Sequence, residues 1–137
     1  MYPNNLKRFA LYLSIFLIFT LTGCTKTPIN GNLDGEWEVM EVTPEPAEWD
    51  ADARIFYNFQ RYVCQLTFYG GPFTVGNLSY TGDEMSLNFP YIHTPKEIST
   101  LRQFGINTNP VTFNVTFENK RRLILYNSEV TIVLRKF

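Results

Sequence analysis

The sequence predicts an all-β chain: an antiparallel up-and-down β-barrel of seven or eight strands, with one short helix before the last three. Three observations carry that expectation. From Arg54 to Phe137 nearly every segment is rich in aromatic and β-branched residues, much of it alternating with a period of two. Turn residues interrupt those segments at short intervals. One stretch alone, from Thr94, carries the start signals of a helix. A sheet of many short strands disposes of its exposed edges by closing on itself.

The first 23 residues differ in kind from the rest. Lys7 and Arg8 make a basic start, and Phe9 to Leu21 then runs 13 residues without a charge. As a helix that run is about 20 Å long, short of the roughly 20 residues that span a bilayer. A short apolar segment behind a basic start, ending in small residues, reads as a removable signal peptide over 1–23. Its end, Leu21-Thr22-Gly23-Cys24, resembles the bacterial lipobox. The resemblance implies cleavage before Cys24, diacylglycerol on its sulfur and a further, palmitate-type chain on the new amine. Two or more acyl chains anchor stably where one does not. Residues 24–32, polar and broken by Pro28 and Gly31, are then a lipidated tether. The implied address is the bacterial cell envelope. Thr25-Lys26-Thr27 lacks the acidic cluster that resembles a surface-export tag, so the expected position is the outer membrane, facing the periplasm.

Residues 33–137 remain as a single folded domain. All 13 acidic residues but only 10 of the 12 basic ones follow Cys24, a formal balance of −3. That offers no basic face for nucleic acid. With Cys24 lipidated, Cys64 has no disulfide partner. It lies on the apolar side of Cys64-Gln65-Leu66-Thr67-Phe68, beside no helix start or basic cluster, and reads as a buried structural residue.

Along the domain, Glu36 to Val42 is a half-buried strand with Trp37, Val39 and Glu41 on one face. Residues 43–53, with two prolines and four acids, form a loop and a solvated acidic face. Arg54 to Tyr69 is strand throughout, with Phe56, Tyr62, Cys64, Leu66 and Phe68 on one parity. No Gly or Pro tells one bent strand from two short ones there. Gly70-Gly71-Pro72 turns the chain, and Gly82-Asp83 closes a hairpin between Phe73–Thr81 and Glu84–Phe89. Thr94-Pro95-Lys96-Glu97 is a capping box with proline at the first helical position. A helix of about ten residues follows, with Ile98, Leu101 and Phe104 on one face and Gly105 as its stop. The last 27 residues form a three-stranded meander in which Val130, Ile132 and Leu134 alternate with Thr131, Val133 and Arg135.

Three motifs of this chain resemble those of a lipocalin-like lipoprotein of the Bacteroides group. Leu33-Asp34-Gly35-Glu36-Trp37 is similar to the Gly-x-Trp opening of the first lipocalin strand. Gly76 to Leu87 resembles the mid-barrel hairpin, and Leu123 to Lys136 the closing strands. The resemblance implies a lipocalin-like barrel over 33–137 in which Trp37 plugs the closed end beneath Arg135. It departs from the family in placing its helix before the final three strands.

The residues offer little reactive chemistry. His93 is the only histidine, too few for a metal site or a serine triad, and it reads as a surface residue ahead of the helix. The carboxylates of Glu45, Glu48, Asp50 and Asp52 sit in an exposed loop that does not bury one to raise its pKa. No phosphate loop or dinucleotide fingerprint occurs. The expectation is a non-enzyme without metal or cofactor. Two functions follow. One is a binding module for a small apolar or amphipathic ligand, lined by Phe56, Tyr57, Phe59 and Phe73. The other is a solid barrel contacting an envelope protein through its loops, with Trp49, read as exposed, as the anchor.

Overall fold

The computed structural model describes residues 3–21, 29–47, 49–50, 52–68 and 71–137. Helix α1 (Pro3–Leu21) covers the basic start and the apolar run. Among the described residues no helix is long and apolar enough to cross a membrane. Cys24 and most of the tether lie outside the described residues.

Eight strands build the domain: β1 (Gly35–Thr43), β2 (Ile55–Gln60), β3 (Val63–Phe68), β4 (Gly71–Tyr80), β5 (Glu84–Asn88), β6 (Val111–Asn119), β7 (Arg122–Tyr126) and β8 (Thr131–Lys136). Each pairs antiparallel with the next, and β8 returns to β1 to close an eight-stranded barrel. Alternation sorts the side chains as the pleat requires. Inside lie Val111, Phe113 and Val115 of β6, Leu123 and Leu125 of β7, and Ile132 and Leu134 of β8, all buried. Register carries the same layer around the wall, with Trp37 opposite Tyr57 and Tyr57 opposite Leu66.

Two local irregularities change which side chains face inward. A register shift in β1 between Val39 and Glu41 brings Val42 inside and leaves Glu41 exposed. Residues 54–69 are two strands, β2 and β3, joined at Arg61 and Tyr62, with Arg61 in the left-handed region at φ 54°. No Gly or Pro marks that turn, so the parity read through it fails. Phe56 lies on the opposite barrel face from Cys64 and Leu66, while Tyr57 and Phe59 face inward.

The single long β5–β6 connection holds helix α2 (Pro95–Ser99). Its capping box is complete: Thr94 Oγ1 accepts from the Glu97 N–H at 3.2 Å, and the Glu97 carboxylate accepts from the Thr94 N–H. The helix is half the expected length. It tightens into a 3₁₀ turn over Arg102–Phe104 and ends at Gly105, φ 80°. Glycine is required there twice over, because a Cβ would also fall 2.6 Å from Ile132 Cδ1. The tightening rolls Leu101, Phe104 and Ile106 together into the core, all fully buried.

Strand directions give the barrel two unlike ends. The β1-to-β2, β3-to-β4, β5-to-β6 and β7-to-β8 connections leave and rejoin the sheet at one end, the mouth. The turns at 61–62, 81–83 and 120–121 share the other end with the chain leading into β1.

Candidate functional site: the barrel mouth and its plug

The closed end is sealed by short-range chain. Trp37 is fully buried, and its indole N–H donates to the Leu33 carbonyl at 2.8 Å. Leu33, on the 3₁₀ turn before β1, is itself fully buried. The basic residue over the tryptophan is Lys136, whose Nζ lies 4.7 Å from the ring centroid. Its ammonium also donates to the Asn32 and Asp34 carbonyls at 3.0 and 2.5 Å. Burial pulls the Lys136 pKa below its ordinary value, against the opposing pull of Asp34. This corrects the expectation for Arg135. Arg135 belongs to the outward set of β8, as the alternation with Ile132 and Leu134 already implied, and only the residue after it reaches over the plug.

Arg135 works on the outer wall instead. Glu38, nearly buried, takes a two-pronged contact from Arg54 (Nε to Oε1 3.0 Å, Nη2 to Oε2 3.2 Å) and a third from Arg135 Nη2 at 3.1 Å. The Arg54 hydrogen bonds hold the Glu38 carboxyl below its usual range. The Arg54 guanidinium lies over Phe56 and Phe137 at 5.3 and 5.1 Å, and the two rings meet edge to face. Phe56 is therefore an outer-wall residue beneath a charged lattice, separate from the other three predicted lining residues.

Of those three, Tyr57 and Phe73 meet through one addition, while Phe59 lies opposite Gly35, toward the closed end. Tyr57 and Phe59 are fully buried 5.8 Å apart, and Phe73 stacks on Phe104 at 5.6 Å. Phe104 also meets Tyr57 and Phe68, at 6.2 and 5.0 Å, and its carbonyl accepts from the Tyr57 hydroxyl. Phe104 is thus the hub of the mouth. The sequence placed it on one face of a helix too short to stand alone, which must plug or cover a sheet end, and only the fold shows which rings it meets there. Asn109 clasps the base of the connection: its Oδ1 accepts from the Phe89 N–H, and its Nδ2 donates to the Phe89 and Ile92 carbonyls at 2.9 and 2.8 Å. At the mouth, beside Gly105, a groove of about 170 Å³ runs between Pro44–Ala47 and Arg102, Gly105 and Val130, smaller than the roughly 300 Å³ a small-molecule site occupies.

Trp49 corrects a second expectation. It is half-buried and packed against the core, and its backbone N–H donates to the Pro46 carbonyl at 3.0 Å. Cys64 is fully buried, and burial pushes its thiol far up in pKa. His93 is exposed, its backbone N–H donating to Glu97. Among the described residues no three His, Cys, Asp or Glu side chains group as a metal site.

A model of the lipocalin-like domain matches residues 18–137. The chain belongs to the lipocalin-like domain family. Among solved structures, this lipocalin-like chain is similar to a lipocalin-like protein from Bacteroides uniformis, at 28% identity and TM-score 0.59, over 78% of this chain and 100% of that one. It shares its fold with an uncharacterized protein from Bacteroides eggerthii, at 20% identity and TM-score 0.55, over 77% of this chain and 99% of that one. No curated protein matches it.

Proposed function

We propose that this lipocalin-like chain is an envelope lipoprotein of the Bacteroides type. It is anchored through Cys24 to the periplasmic face of the outer membrane and serves as a non-catalytic binding module for one small apolar or amphipathic ligand. The lipobox and the basic, apolar leader support the anchor; family membership supports a binding role.

The observation that carries the binding reading is the plug. The mouth aromatics Tyr57, Phe68 and Phe73 are roofed by one ring, Phe104, carried on a connection whose regular helix is five residues long. A guest that displaces Leu101, Phe104 and Ile106 meets aromatic walls, and the Tyr57 hydroxyl it frees can orient a polar head group. Native mass spectrometry of the protein purified from its own envelope tests this. A retained lipid or small molecule, lost in Tyr57→Ala, is the expected result. A bare polypeptide mass in native-source protein would sink it.

One observation favours the other function. Trp37, Tyr57, Phe59, Phe104 and Phe113 are all fully buried, so the interior is densely filled. In that case the mouth loops, with Trp49 and the acidic 43–53 segment, are the working surface for an envelope protein.

A further inference from the structure

The connection between β5 and β6 is fastened mostly to itself. Asn109 ties its two ends together, accepting from the Phe89 N–H and donating to the Phe89 and Ile92 carbonyls. Phe89 is the fixed side of that knot. It is fully buried with its ring against Gly76, where a Cβ would fall 2.8 Å from it. From His93 onward the segment is one hydrogen-bonded piece. The Glu97 carboxylate accepts from the His93 and Thr94 N–H groups, the helix and the 3₁₀ turn follow, and the Ile106 N–H returns to the Leu101 carbonyl. Asn107 and Thr108, both exposed, then lead back to Asn109. Among the described residues a single hydrogen bond joins 93–108 to a barrel strand, from the Tyr57 hydroxyl to the Phe104 carbonyl. The rest of the attachment is apolar: Leu101, Phe104 and Ile106 are fully buried, and Gly105 backs onto Ile132.

We propose that residues 93–108 are a lid that lifts from the mouth as one unit, pinned at Asn109 and latched by Tyr57. Lifting it breaks one hydrogen bond to the barrel and leaves the eight-stranded ladder whole, so the opening is local. It also bares Leu101, Phe104 and Ile106, which keeps the closed form dominant until apolar groups of a guest replace those contacts. Asn109 is a positioning residue: its three hydrogen bonds hold the ends of the lid together in both forms. Tyr57 is the latch, bonded in the closed form alone. The lid's use as a gate rests on the binding reading above, whereas the opening itself needs no guest.

Thiol labelling of the full-length protein carrying Leu101→Cys tests this, with no ligand added and each label located by peptide mass. Cys64, fully buried on β3, reports unfolding of the whole barrel, and position 101 reports the lid. With a reagent slower than reclosing, position 101 should label about tenfold or more faster than Cys64. Adding Tyr57→Phe should speed both sites several-fold, because the latch is lost in the open and the unfolded forms alike. Adding Asn109→Ala should speed Cys64 alone, because the pin survives opening and is lost only on unfolding. If Asn109→Ala does not fold, Asn109→Asp, which keeps the acceptor for the Phe89 N–H, takes its place. Equal labelling at 101 and 64 overturns the lid, and a co-purified ligand in that same protein leaves the binding reading standing. Asn109→Ala that speeds both sites equally overturns the pin. Fast labelling at 101 in protein that carries no ligand from its own envelope supports the lid and removes its role as a gate.

Discussion

Both ends of this barrel are stopped by a fully buried aromatic ring, yet the two rings are held by different parts of the chain. Trp37 is a strand residue whose hydrogen-bond partner, Leu33, is four positions away, and whose cation comes from the paired strand β8. Phe104 comes from a 3₁₀ turn, and its carbonyl meets the hydroxyl of a tyrosine 47 positions away. The first closure forms with the sheet and cannot be withdrawn without opening it. The second is carried by the connection between β5 and β6, outside the sheet's own ladder. In chemistry the ends are alike, and in their capacity to move they are not. That difference makes the mouth the place to look for a ligand.

The strongest way to break this comparison is at the closed end. Trp37→Ala should cost about 3–5 kcal/mol in denaturant melts, as a large-to-small change at a site that cannot collapse. A loss below about 1 kcal/mol would show that Leu33 and Lys136 seal the end without it. Phe104→Ala should come out at the lower edge of the same range, about 3 kcal/mol, because the 95–106 segment can settle into the gap. It should also raise uptake of an apolar fluorescent dye, where Trp37→Ala in still-folded protein does not. Equal dye uptake by the two variants would erase the distinction between the ends.

The smallest effect sharpens the contrast from outside it. Glu38, whose pKa the Arg54 and Arg135 hydrogen bonds lower, belongs to neither end. A carboxyl depressed in the fold stabilises above its unfolded pKa, and that stability is lost as pH falls through the folded value. Wild-type stability should therefore decline as pH drops from the ordinary carboxyl value of 4.5 downward. Glu38→Gln should remove part of that slope while leaving dye uptake unchanged. The expected loss at neutral pH is about 1 kcal/mol or less, because both arginines are largely exposed. A wild-type and Glu38→Gln pair with parallel pH profiles would contradict the assignment.

What the sequence determined by itself was everything governed by short-range periods and local hydrogen bonds. The alternation of Val111 to Phe117, the hairpin closed at Gly82, the capping box of Thr94 and Glu97 and the glycine stop at Gly105 all follow from residues a few positions apart. So does the barrel class, since many short strands must close. What only the tertiary structure decided depends on pairings between distant positions. A turn without Gly or Pro at Arg61 put Phe56 on the outer wall, and a bulge in β1 exchanged Glu41 for Val42. Closure of β8 onto β1 set Lys136 rather than Arg135 over Trp37. The fold of the 44–54 loop buried half of Trp49, and the path of the 89–110 connection sent Phe104 to Tyr57. The strand outcomes turn on register, where a shift of one residue moves a side chain from core to solvent with no change in composition, and the two loop outcomes turn on contacts with distant strands.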